Sequence, residues 1–370
     1  EQNYFFRLSK YQSQLEQLYA ESPDFIQPES RRNEVLSFVS QGLQDFSISR
    51  VNVEWGFPLP VDPKHTIYVW FDALLNYVTA SVDLDAEPTL ENAMAQGWPV
   101  NLHIIGKDIL RFHAVYWPAM LMSANMPIPG HVFGHGFLTK DGQKMSKSLG
   151  NIIDPVDLVT RYGSDAIRYY FLKEIEFGRD GDFSETRFVN ILNADLANDL
   201  GNLLNRTLKM VQKYFDRQVP LTSLTDIPAD DILRSKGALL GQQVTQAYES
   251  LAFSQACEAI LSLVRSSNKY VDEKAPWTLY KQGKQTELAQ VLYTVLESVR
   301  LAAYLLSPLI PNISTAIYQQ LGFSVDFNQK EVGQVVPFET HTQWGTLSPG
   351  QGLGEALPVF QRLDLPTPST

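Results

Sequence analysis

The chain has 370 residues, 44% of them hydrophobic, and its 41 acidic residues outnumber its 30 basic residues, which gives a formal net charge of −11. This size and apolar content fit a globular protein of roughly two or three domains, whereas the acidic balance argues against coating nucleic acid by bulk charge and leaves recognition through a local patch. The single cysteine, Cys257, excludes an internal disulfide and a cysteine-rich zinc site and fits a cytoplasmic setting, and no apolar run is long enough to span a bilayer.

Strand and helix patterns alternate through the first half of the chain. Apolar spacing predicts helices over residues 11–19, 29–43, 72–81 and from 108 to about 123. Strands are predicted over residues 4–8, 46–50, 66–70, 102–105 and 131–138. This alternation favours a parallel sheet with ligands at the carboxyl ends of its strands, and therefore an α/β nucleotide-binding domain.

The pattern becomes helical after residue 183. Ser184 is predicted to begin a helix, with Phe183 packing on Phe188. An apolar stripe at helical spacing follows, formed by Leu192, Leu196, Leu200, Leu203 and Val211. Further amphipathic segments over residues 230–250, 254–272 and 285–306 predict an all-α helical bundle. We expect domains at 1–183 and 184–324, and a C-terminal strap over the surface at 325–370.

A short cationic loop occupies residues 144–148, with the sequence Lys-Met-Ser-Lys-Ser. It follows a strand candidate and an Asp141-Gly142 turn. Lysine ammoniums neutralise phosphate oxygens, and serine hydroxyls donate to them. A mobile cationic loop beside a sheet edge suits a transition state that gathers charge on a transferring phosphate. For the two lysines alone, an ordinary solvated basic loop is the alternative.

Aromatic and polar motifs follow the predicted strands of the first half. Within residues 70–77, Trp70 and Tyr77 lie two helical turns apart. They either line a binding site or pack in the core. At residues 106–113, Gly106 allows close approach of a ligand to the backbone, and Asp108 is either a helix cap or an acceptor for ribose hydroxyls. His135 lies between two glycines, which favours a phosphate or nucleotide contact over core packing.

Two features of the helical half are suited to RNA. Asn198, Asn202 and Arg206 are spaced four residues apart on one helix face, and amides and guanidinium groups can read base edges. Trp277 follows Pro276 and offers a stacking platform, which is worth about 1–3 kcal/mol per base. The alternatives are a polar solvent face for the first feature and a helix-end staple for the second.

Taken together, these motifs resemble the methionyl-tRNA synthetases, a family of class I aminoacyl-tRNA synthetases. The resemblance rests on residues 70–77, 106–113, 117–120, 135–136 and 144–148, and it extends to residue 362. It implies ATP-dependent activation of methionine to methionyl-adenylate and transfer to tRNA(Met) bearing the CAU anticodon, in translation. It also implies that Mg²⁺ accompanies ATP.

The resemblance implies a role for each matched residue. The methionine pocket would contain Arg50, Trp70, Ala73, Leu74, Tyr77, Ile109 and His113, with Arg50 at the polar end of the amino acid. ATP would contact Gly106, Asp108, His135 and Lys147. Lys144, Ser146 and Lys147 would be the catalytic residues, with the two lysines on the pyrophosphate leaving group. Asn198, Asn202, Arg206, Pro276 and Trp277 would bind the anticodon. Residues of about 150–183, with Arg161, Arg168, Tyr169 and Tyr170, would contact the inner bend of the tRNA.

Two features of the family are absent from these 370 residues, namely the His-Ile-Gly-His signature and the zinc-knuckle cysteines. We therefore expect residues 1–183 to be the C-terminal half of a Rossmann-like domain, with any zinc in an upstream segment and no metal ligands in this chain. We also expect the chain alone to be inactive, and the protein to be a monomer. The alternatives are a non-catalytic anticodon-binding module, another class I synthetase (for cysteine, leucine, isoleucine or valine), and an unrelated nucleotidyl transferase with a similar loop.

Overall fold

The computed structural model of the chain describes residues 2–51, 53–328 and 337–365. It divides into two compact units. Unit 1 is the chain up to Phe137 together with Gly178–Asp180, and unit 2 is Leu138–Phe177 together with the chain from Gly181 onward. Residues 138–177 thus pack with the helical part, and the predicted domain limits stay a prediction. Within the described ranges, none of the helices combines the length and apolar character that crossing a bilayer requires.

The strands of unit 1 are short and form small sheets. They are β1 (Phe5–Phe6), β2 (Ile26–Gln27), β3 (Phe46–Ser47), β4 (Ser49–Arg50), β5 (Pro58–Leu59), β6 (Asp62–Ile67), β7 (Leu102–Gly106) and β8 (His131–His135). The order β2–β8–β7 is parallel throughout, and it pairs Gly106 with His135 at the carboxyl ends. β1 pairs with β3, and β6 with β4 and β5, in antiparallel fashion. The parallel sheet is therefore confirmed for the two later strands.

The predicted strand at residues 66–70 is partly wrong. β6 lies in an antiparallel sheet and ends at Ile67, and a helix begins at Val69. The carbonyl of Tyr68 accepts from the backbone N–H groups of Phe71 and Asp72, which turns the chain into the helix and places Trp70 in its first turn. The apolar run that favoured a strand is thus divided between two elements.

The helices of unit 1 are α1 (Gln12–Glu21), α2 (Glu29–Ser40), α3 (Val69–Ala73), α4 (Asn76–Thr79), α5 (Leu90–Ala95) and α6 (Trp117–Ser123), with 3₁₀ turns at Leu8–Tyr11 and Lys107–Ile109. A π-helical segment, Phe112–Tyr116, leads into α6. Pro118 in the first turn of α6 has no N–H to return to the preceding turn, which accounts for the widened ladder there. The residues from Trp117 to Leu121 are buried, so α6 lies between two apolar clusters of this unit.

Unit 2 begins with a β-hairpin that carries the cationic loop. β9 (Leu138–Lys140) pairs antiparallel with β10 (Gln143–Lys144) and parallel with β11 (Gly181–Phe183). Asp141 and Gly142 both have positive φ, as a two-residue hairpin turn requires, so the predicted turn is confirmed. The carboxylate of Asp182 accepts from the Gly142 N–H at 2.8 Å and from the Thr139 hydroxyl at 2.6 Å, which holds the hairpin on β11.

The rest of unit 2 is a helical bundle. Its helices are α7 (Pro155–Tyr162), α8 (Ser164–Glu174), α9 (Glu185–Leu192), α10 (Asn202–Phe215), α11 (Ile232–Glu249), α12 (Phe253–Lys274), α13 (Pro276–Lys281), α14 (Gln285–Leu306), α15 (Pro311–Gln320) and α16 (Phe338–His341), with a 3₁₀ turn at Leu224–Asp226 and a π-helical segment at Asn193–Gly201 between α9 and α10. The predicted apolar stripe is confirmed, because all five of its members are fully buried. Ser184 precedes α9 as predicted and the rings of Phe183 and Phe188 lie 5.8 Å apart, but the Ser184 side chain makes no capping bond.

The C-terminal part of the described chain packs along the bundle. Leu363 exchanges backbone–side chain hydrogen bonds with Asn193, and Leu353 N–H donates to the carbonyl of Arg217. Farther upstream, residues 341–347 are held by a buried ion pair on α14, Glu297 with Arg300. These contacts agree with a strap, although residues 329–336 and 366–370 of the predicted strap lie outside the described residues.

Candidate functional site

An aromatic cluster in unit 1 contains several residues of the predicted methionine pocket. The Tyr77 hydroxyl lies 2.8 Å from Nε2 of His113. The ring of Trp70 stacks on Phe112 at 4.3 Å between centroids. The Trp117 ring lies 6.4 Å from that of Tyr77. The structure therefore brings Tyr77 and His113 into one hydrogen-bonded pair.

The hydrogen bonds of His113 fix its tautomer. Its Nδ1 lies 3.0 Å from the carbonyl oxygen of Ile109, which can only accept, so Nδ1 carries the proton. Burial lowers the pKa of His113, which keeps the ring uncharged. Nε2 is then a bare acceptor, and the Tyr77 hydroxyl donates to it. The pair presents a phenol oxygen with free lone pairs beside a neutral imidazole.

The other predicted pocket residues lie in different surroundings. Leu74 is buried in the core of unit 1, Ala73 is exposed, and Ile109 is half-buried. Arg50 lies at the end of β4, where its guanidinium stacks over Tyr68 at 4.1 Å and donates to the carbonyl of Ser49 at 2.8 Å. Arg50 is thus held in place by neighbours within unit 1.

A second buried histidine contacts this cluster and was not predicted. The ring centroid of His103, on β7, lies 4.3 Å from that of Tyr77 and 5.7 Å from that of His113. Burial and the neighbouring ionisable ring of His113 lower the pKa of His103 to about 4. The alternation of side chains along β7, which turns His103 and Ile105 inward, is the sequence signal that could have indicated it.

Three of the predicted ATP contacts lie together at the carboxyl end of the parallel sheet. Gly106 ends β7 opposite His135 on β8. A Cβ at Gly106 would lie 2.5 Å from Oδ1 of Asp108, so a side chain at this position would displace the carboxylate. Lys107 binds both carboxylate oxygens of Asp180 at 2.7 Å, which anchors the segment Gly178–Asp180 to unit 1. Gly106, Asp108 and His135 thus form one polar edge.

The predicted catalytic residues form an exposed loop in unit 2. Lys144 ends β10 and Lys147 lies in the following turn, and among the described residues neither lysine has a carboxylate partner. Ser146 Oγ accepts from the Leu149 N–H at 3.2 Å. Asn151, which the sequence did not indicate, closes the loop: its side chain accepts from the Ser146 N–H and donates to the Lys144 carbonyl. The loop therefore has a defined backbone with two ammonium groups in solvent.

The predicted anticodon residues Asn198, Asn202 and Arg206 line one cavity of about 370 Å³ in unit 2. Asn205, Lys209 and Asn268 also line it and were not predicted. The Arg206 guanidinium donates to the Asp272 carboxylate at 3.0 Å and to the carbonyl and side-chain oxygens of Asn268. The grouping on one face is confirmed, and it spans the junction between the π-helical segment and α10.

Pro276 and Trp277 begin α13. Pro276 is buried at the first helical position, and the chain enters it through Ala275 in the left-handed conformation. The Trp277 side chain is 43% exposed. Neither residue is among the described residues that line the Arg206 cavity.

The predicted contact with the inner bend of the tRNA is wrong for two tyrosines. Tyr169 and Tyr170 are fully buried, and Tyr169 donates to Asp195 inside the bundle, so neither can contact RNA. Arg168 donates to the carbonyls of Pro308 and Leu309 and so joins two segments of unit 2. Arg161 is an exposed residue paired with Asp157 and Glu185, and its predicted role stays a prediction.

Comparison with protein families places the chain in a class. The family described as "tRNA synthetases class I (M)" matches residues 1–208. The family described as "Anticodon binding domain of methionyl tRNA ligase" matches residues 230–361. The fold is therefore that of a class I aminoacyl-tRNA synthetase, with a mixed-sheet catalytic part and a helical anticodon-binding part, and the predicted fold class is confirmed.

Individual relatives define the amino acid. The methionine–tRNA ligase of Nostoc sp. is 69% identical over 98% of this chain and 68% of its own length, and that of Synechocystis sp. is 67% identical over 99% and 69%. The Mycobacterium tuberculosis methionyl-tRNA synthetase, solved in complex with methionyl-adenylate, superposes with a TM-score of 0.87 at 44% identity over 98% of this chain and 69% of that one. The chain belongs to the methionyl-tRNA synthetase family.

Family membership settles the enzyme class. The chain is an aminoacyl-tRNA ligase that activates methionine with ATP and charges tRNA, as the resemblance implied. The alternatives of a synthetase for another amino acid and of an unrelated nucleotidyl transferase are thereby excluded. The roles of individual residues are a separate question, to which the geometry above contributes.

Proposed function

We propose that the Tyr77–His113 cluster of unit 1 binds the methionine side chain, that the Gly106 edge of the same unit binds ATP, and that the loop 144–148 of unit 2 stabilises the pyrophosphate leaving group. The observation that carries the proposal is the part-buried hydrogen bond from Tyr77 to the buried His113, which creates a neutral polar point inside an aromatic cluster. Such a point suits an uncharged, polarisable side chain.

The proposed methionine pocket follows from the chemistry of a thioether. Its sulfur is polarisable and interacts favourably with aromatic ring edges, and rings are available from Trp70, Tyr77 and Trp117. A hydrophobic pocket distinguishes one methylene by only about 1–3 kcal/mol. Selection therefore depends on shape together with the Tyr77–His113 polar point. Arg50, fixed over Tyr68, would hold the carboxylate end.

The proposed ATP contacts use the carboxyl ends of parallel strands, where α/β proteins bind ligands. Asp108 would accept from the ribose hydroxyls, and His135 would contact the nucleotide. Gly106 has no side chain to displace the Asp108 carboxylate, so it keeps this edge open. Among the described residues, no group of three or more acidic, histidine or cysteine side chains could hold a metal ion. We expect Mg²⁺ to accompany ATP and to be bound in part by its phosphates, as is usual for this ion.

The reaction needs no protein nucleophile. The methionine carboxylate attacks the α-phosphorus of ATP and pyrophosphate leaves; the terminal tRNA hydroxyl then takes the acyl group and AMP leaves. Lys144 and Lys147 would neutralise charge on the leaving group, and Ser146 shapes the loop. The hydrogen bonds of the Asn151 side chain to the backbone of Ser146 and Lys144 would reduce the reorganisation that the loop needs in the transition state.

The proposed tRNA contacts lie in unit 2. Asn198, Asn202 and Arg206 would read edges of the CAU bases, and Trp277 behind Pro276 would stack on one base, which is the usual mode for single-stranded RNA loops. We expect a monomer, to be measured by sedimentation. We also expect a cytoplasmic location, with which a lone buried cysteine is compatible.

The test is methionine-dependent ATP–pyrophosphate exchange in the protein that carries residues 1–370. Lys147→Ala should lower kcat by about 100- to 1,000-fold, the usual loss when one preorganised donor to a developing charge is removed, with the KM for methionine unchanged. Lys269→Ala, a matched change at an exposed lysine on α12, should leave the exchange unchanged. Equal rates for Lys147→Ala and the wild type would contradict the assignment.

A further inference from the structure

His103 is a buried histidine for which the proposed mechanism has no role. It is 4% exposed, whereas Ile104, the next residue on β7, is 53% exposed. Strand alternation therefore turns the imidazole into unit 1, toward the aromatic cluster. A histidine at a fully inward strand position is unusual unless its nitrogens have partners.

The ring of His103 contacts both members of the Tyr77–His113 pair. It lies 4.3 Å from the Tyr77 ring with an interplanar angle of 57°, and 5.7 Å from the His113 ring at 67°. Tyr77, His103 on β7 and His113 on the π-helical segment thus form a triangle of rings in mutual contact. Loss of the His103 ring would leave the phenol free to turn.

Nε2 of His103 is buried and has no hydrogen-bond partner among the described residues. The indole nitrogens of Trp98 and Trp117 are also buried without partners, and the Trp117 ring belongs to the same cluster. Unpaired buried polar atoms are costly, and in native proteins they are commonly explained by an ordered water or by a functional role. The rings that carry these atoms adjoin one another around Tyr77.

The ring of His103 is uncharged near neutral pH, because burial and the neighbouring His113 lower its pKa to about 4. A neutral imidazole carries one N–H donor and one acceptor. A thioether sulfur is a weak acceptor, whereas a methylene accepts nothing. A donor beside the pocket, acting directly or through one water, would therefore favour a thioether over a hydrocarbon of the same length.

We propose that His103 is a specificity-determining positioning residue of the methionine pocket, which acts through Tyr77 to favour an unbranched thioether over the isosteric hydrocarbon side chain. This inference rests on the proposed function, since it requires that the Tyr77–His113 cluster binds methionine. The role has two parts. The His103 ring keeps the Tyr77 hydroxyl hydrogen-bonded to His113, and its Nε2 gives the methionine pocket a polar atom.

The experiment compares methionine with norleucine, in which a methylene replaces the sulfur, in ATP–pyrophosphate exchange by the protein that carries residues 1–370. His103→Phe keeps a ring but removes both nitrogens. We expect it to raise the KM for methionine about tenfold, a change that corresponds to about 1.4 kcal/mol, with the KM for norleucine changed less than about twofold on the same scale. The KM for ATP and kcat should stay as in the wild type. Ile104→Val, on the same strand, is the matched control and should change none of these values.

Two amide variants separate the nitrogen from the packing and keep the test valid if the Phe variant folds poorly. His103→Gln places an amide near the position of Nε2 and should retain most of the preference for methionine over norleucine. His103→Asn places the amide near Nδ1 instead and should lose it. Equal selectivity of both amide variants and the wild type would overturn the proposal, as would equal weakening of methionine and norleucine by His103→Phe.

The failure of this inference can be told apart from failure of the proposed pocket. If the Tyr77–His113 cluster does not bind methionine, Tyr77→Phe and His103→Phe will both leave the KM for methionine unchanged. If the cluster binds methionine but His103 has only a packing role, Tyr77→Phe will raise that KM while the selectivity of His103→Phe equals that of the wild type.

Discussion

Each unit buries a pair of ionisable side chains, and the two pairs differ in charge and in hydrogen bonding. In unit 1, His103 and His113 are neutral rings, and one of their nitrogens has no partner among the described residues. In unit 2, Glu297 and Arg300 are fully buried and oppositely charged. The guanidinium also donates to the carbonyl of His341, and the carboxylate accepts from backbone N–H groups of residues 345–347. We call the histidine set open, because one of its nitrogens has no partner among the described residues. We call the Glu297–Arg300 set closed, because its charged groups are hydrogen-bonded.

This difference separates side chains that are available to a ligand from side chains that stabilise the fold. A buried ion pair is stable only when its hydrogen bonds are complete, and the completed pair of unit 2 fastens a loop to α14. Neutral rings with an open polar atom give less stability and leave capacity for a ligand. We therefore assign the closed set to the fold and the open set to substrate selection, and the predictions below test this division.

The largest effect should come from breaking the closed pair. Glu297→Ala leaves the Arg300 guanidinium buried without its counter-ion, and the loss of one partner in a buried pair costs about 3–5 kcal/mol. The free energy of unfolding, measured by urea denaturation with circular dichroism, should fall by this amount. Glu273→Ala removes an exposed partner of Lys269 and should change stability by less than about 0.5 kcal/mol. A decrease of less than about 1 kcal/mol in the free energy of unfolding for Glu297→Ala would show that the pair does not stabilise the fold.

Acid should destabilise both units, because each contains a buried histidine with a lowered pKa. Burial lowers the pKa of His103 and of His341 to about 4, so between pH 6.5 and pH 4 the unfolded chain binds protons that the folded chain does not. Stability should therefore fall as the pH falls through this window, by at most about 3 kcal/mol for each histidine.

The measurement is the free energy of unfolding at pH 7 and pH 4.5 for the wild type and for His341→Phe. The substitution removes the titrating group, so the variant should lose less stability on acidification than the wild type. Identical losses in the two proteins would mean that His341 is not held neutral by the fold.

Loss of the stacking platform should weaken RNA binding by an intermediate amount. Trp277→Ala removes an exposed ring, and base stacking on such a ring is worth about 1–3 kcal/mol, or roughly 5- to 150-fold in affinity. Fluorescence anisotropy with a CAU stem-loop measures the change. Trp55→Ala, at another exposed tryptophan in unit 1, is the matched control. Unchanged affinity in the Trp277 variant would remove this residue from the anticodon site.

The smallest effect should come from the open set itself. Tyr77→Phe deletes a hydroxyl whose hydrogen bond contributes about 0.5–1.5 kcal/mol, so the KM for methionine should rise by up to about tenfold. The KM for ATP and the stability of unit 2 should be unaffected. If only the KM for ATP changed, the Tyr77 hydroxyl would belong to the ATP site and not to the methionine pocket.

Features of the fold that depend on local chemistry were predictable from the sequence. The Asp141-Gly142 turn was found because both residues tolerate positive φ, and the apolar stripe was found because helical spacing reports burial directly. The strand at residues 66–70 was misjudged because its β-favouring residues continue past Ile67 into a helix, where tertiary context overrides propensity.

The site was only partly predictable, because motifs identify residues but not their partners. Tyr77 and His113 were named as pocket residues, while their mutual hydrogen bond and the supporting ring of His103 depend on how separate elements pack. Tyr169 and Tyr170 were placed on the RNA surface because a tyrosine pattern does not tell a buried face from an exposed one. Asn151 was missed because its closing hydrogen bonds exist only in the folded loop.

The most direct test of the account is the amino-acid dependence of ATP–pyrophosphate exchange in the wild type and in His113→Phe, using the protein that carries residues 1–370. We predict that methionine supports exchange in the wild type and that leucine, isoleucine, valine and cysteine do not. We also predict that His113→Phe raises the KM for methionine while kcat is retained. Exchange supported equally by another of these amino acids, or an unchanged KM in the variant, would contradict the assignment of the Tyr77–His113 cluster to methionine selection.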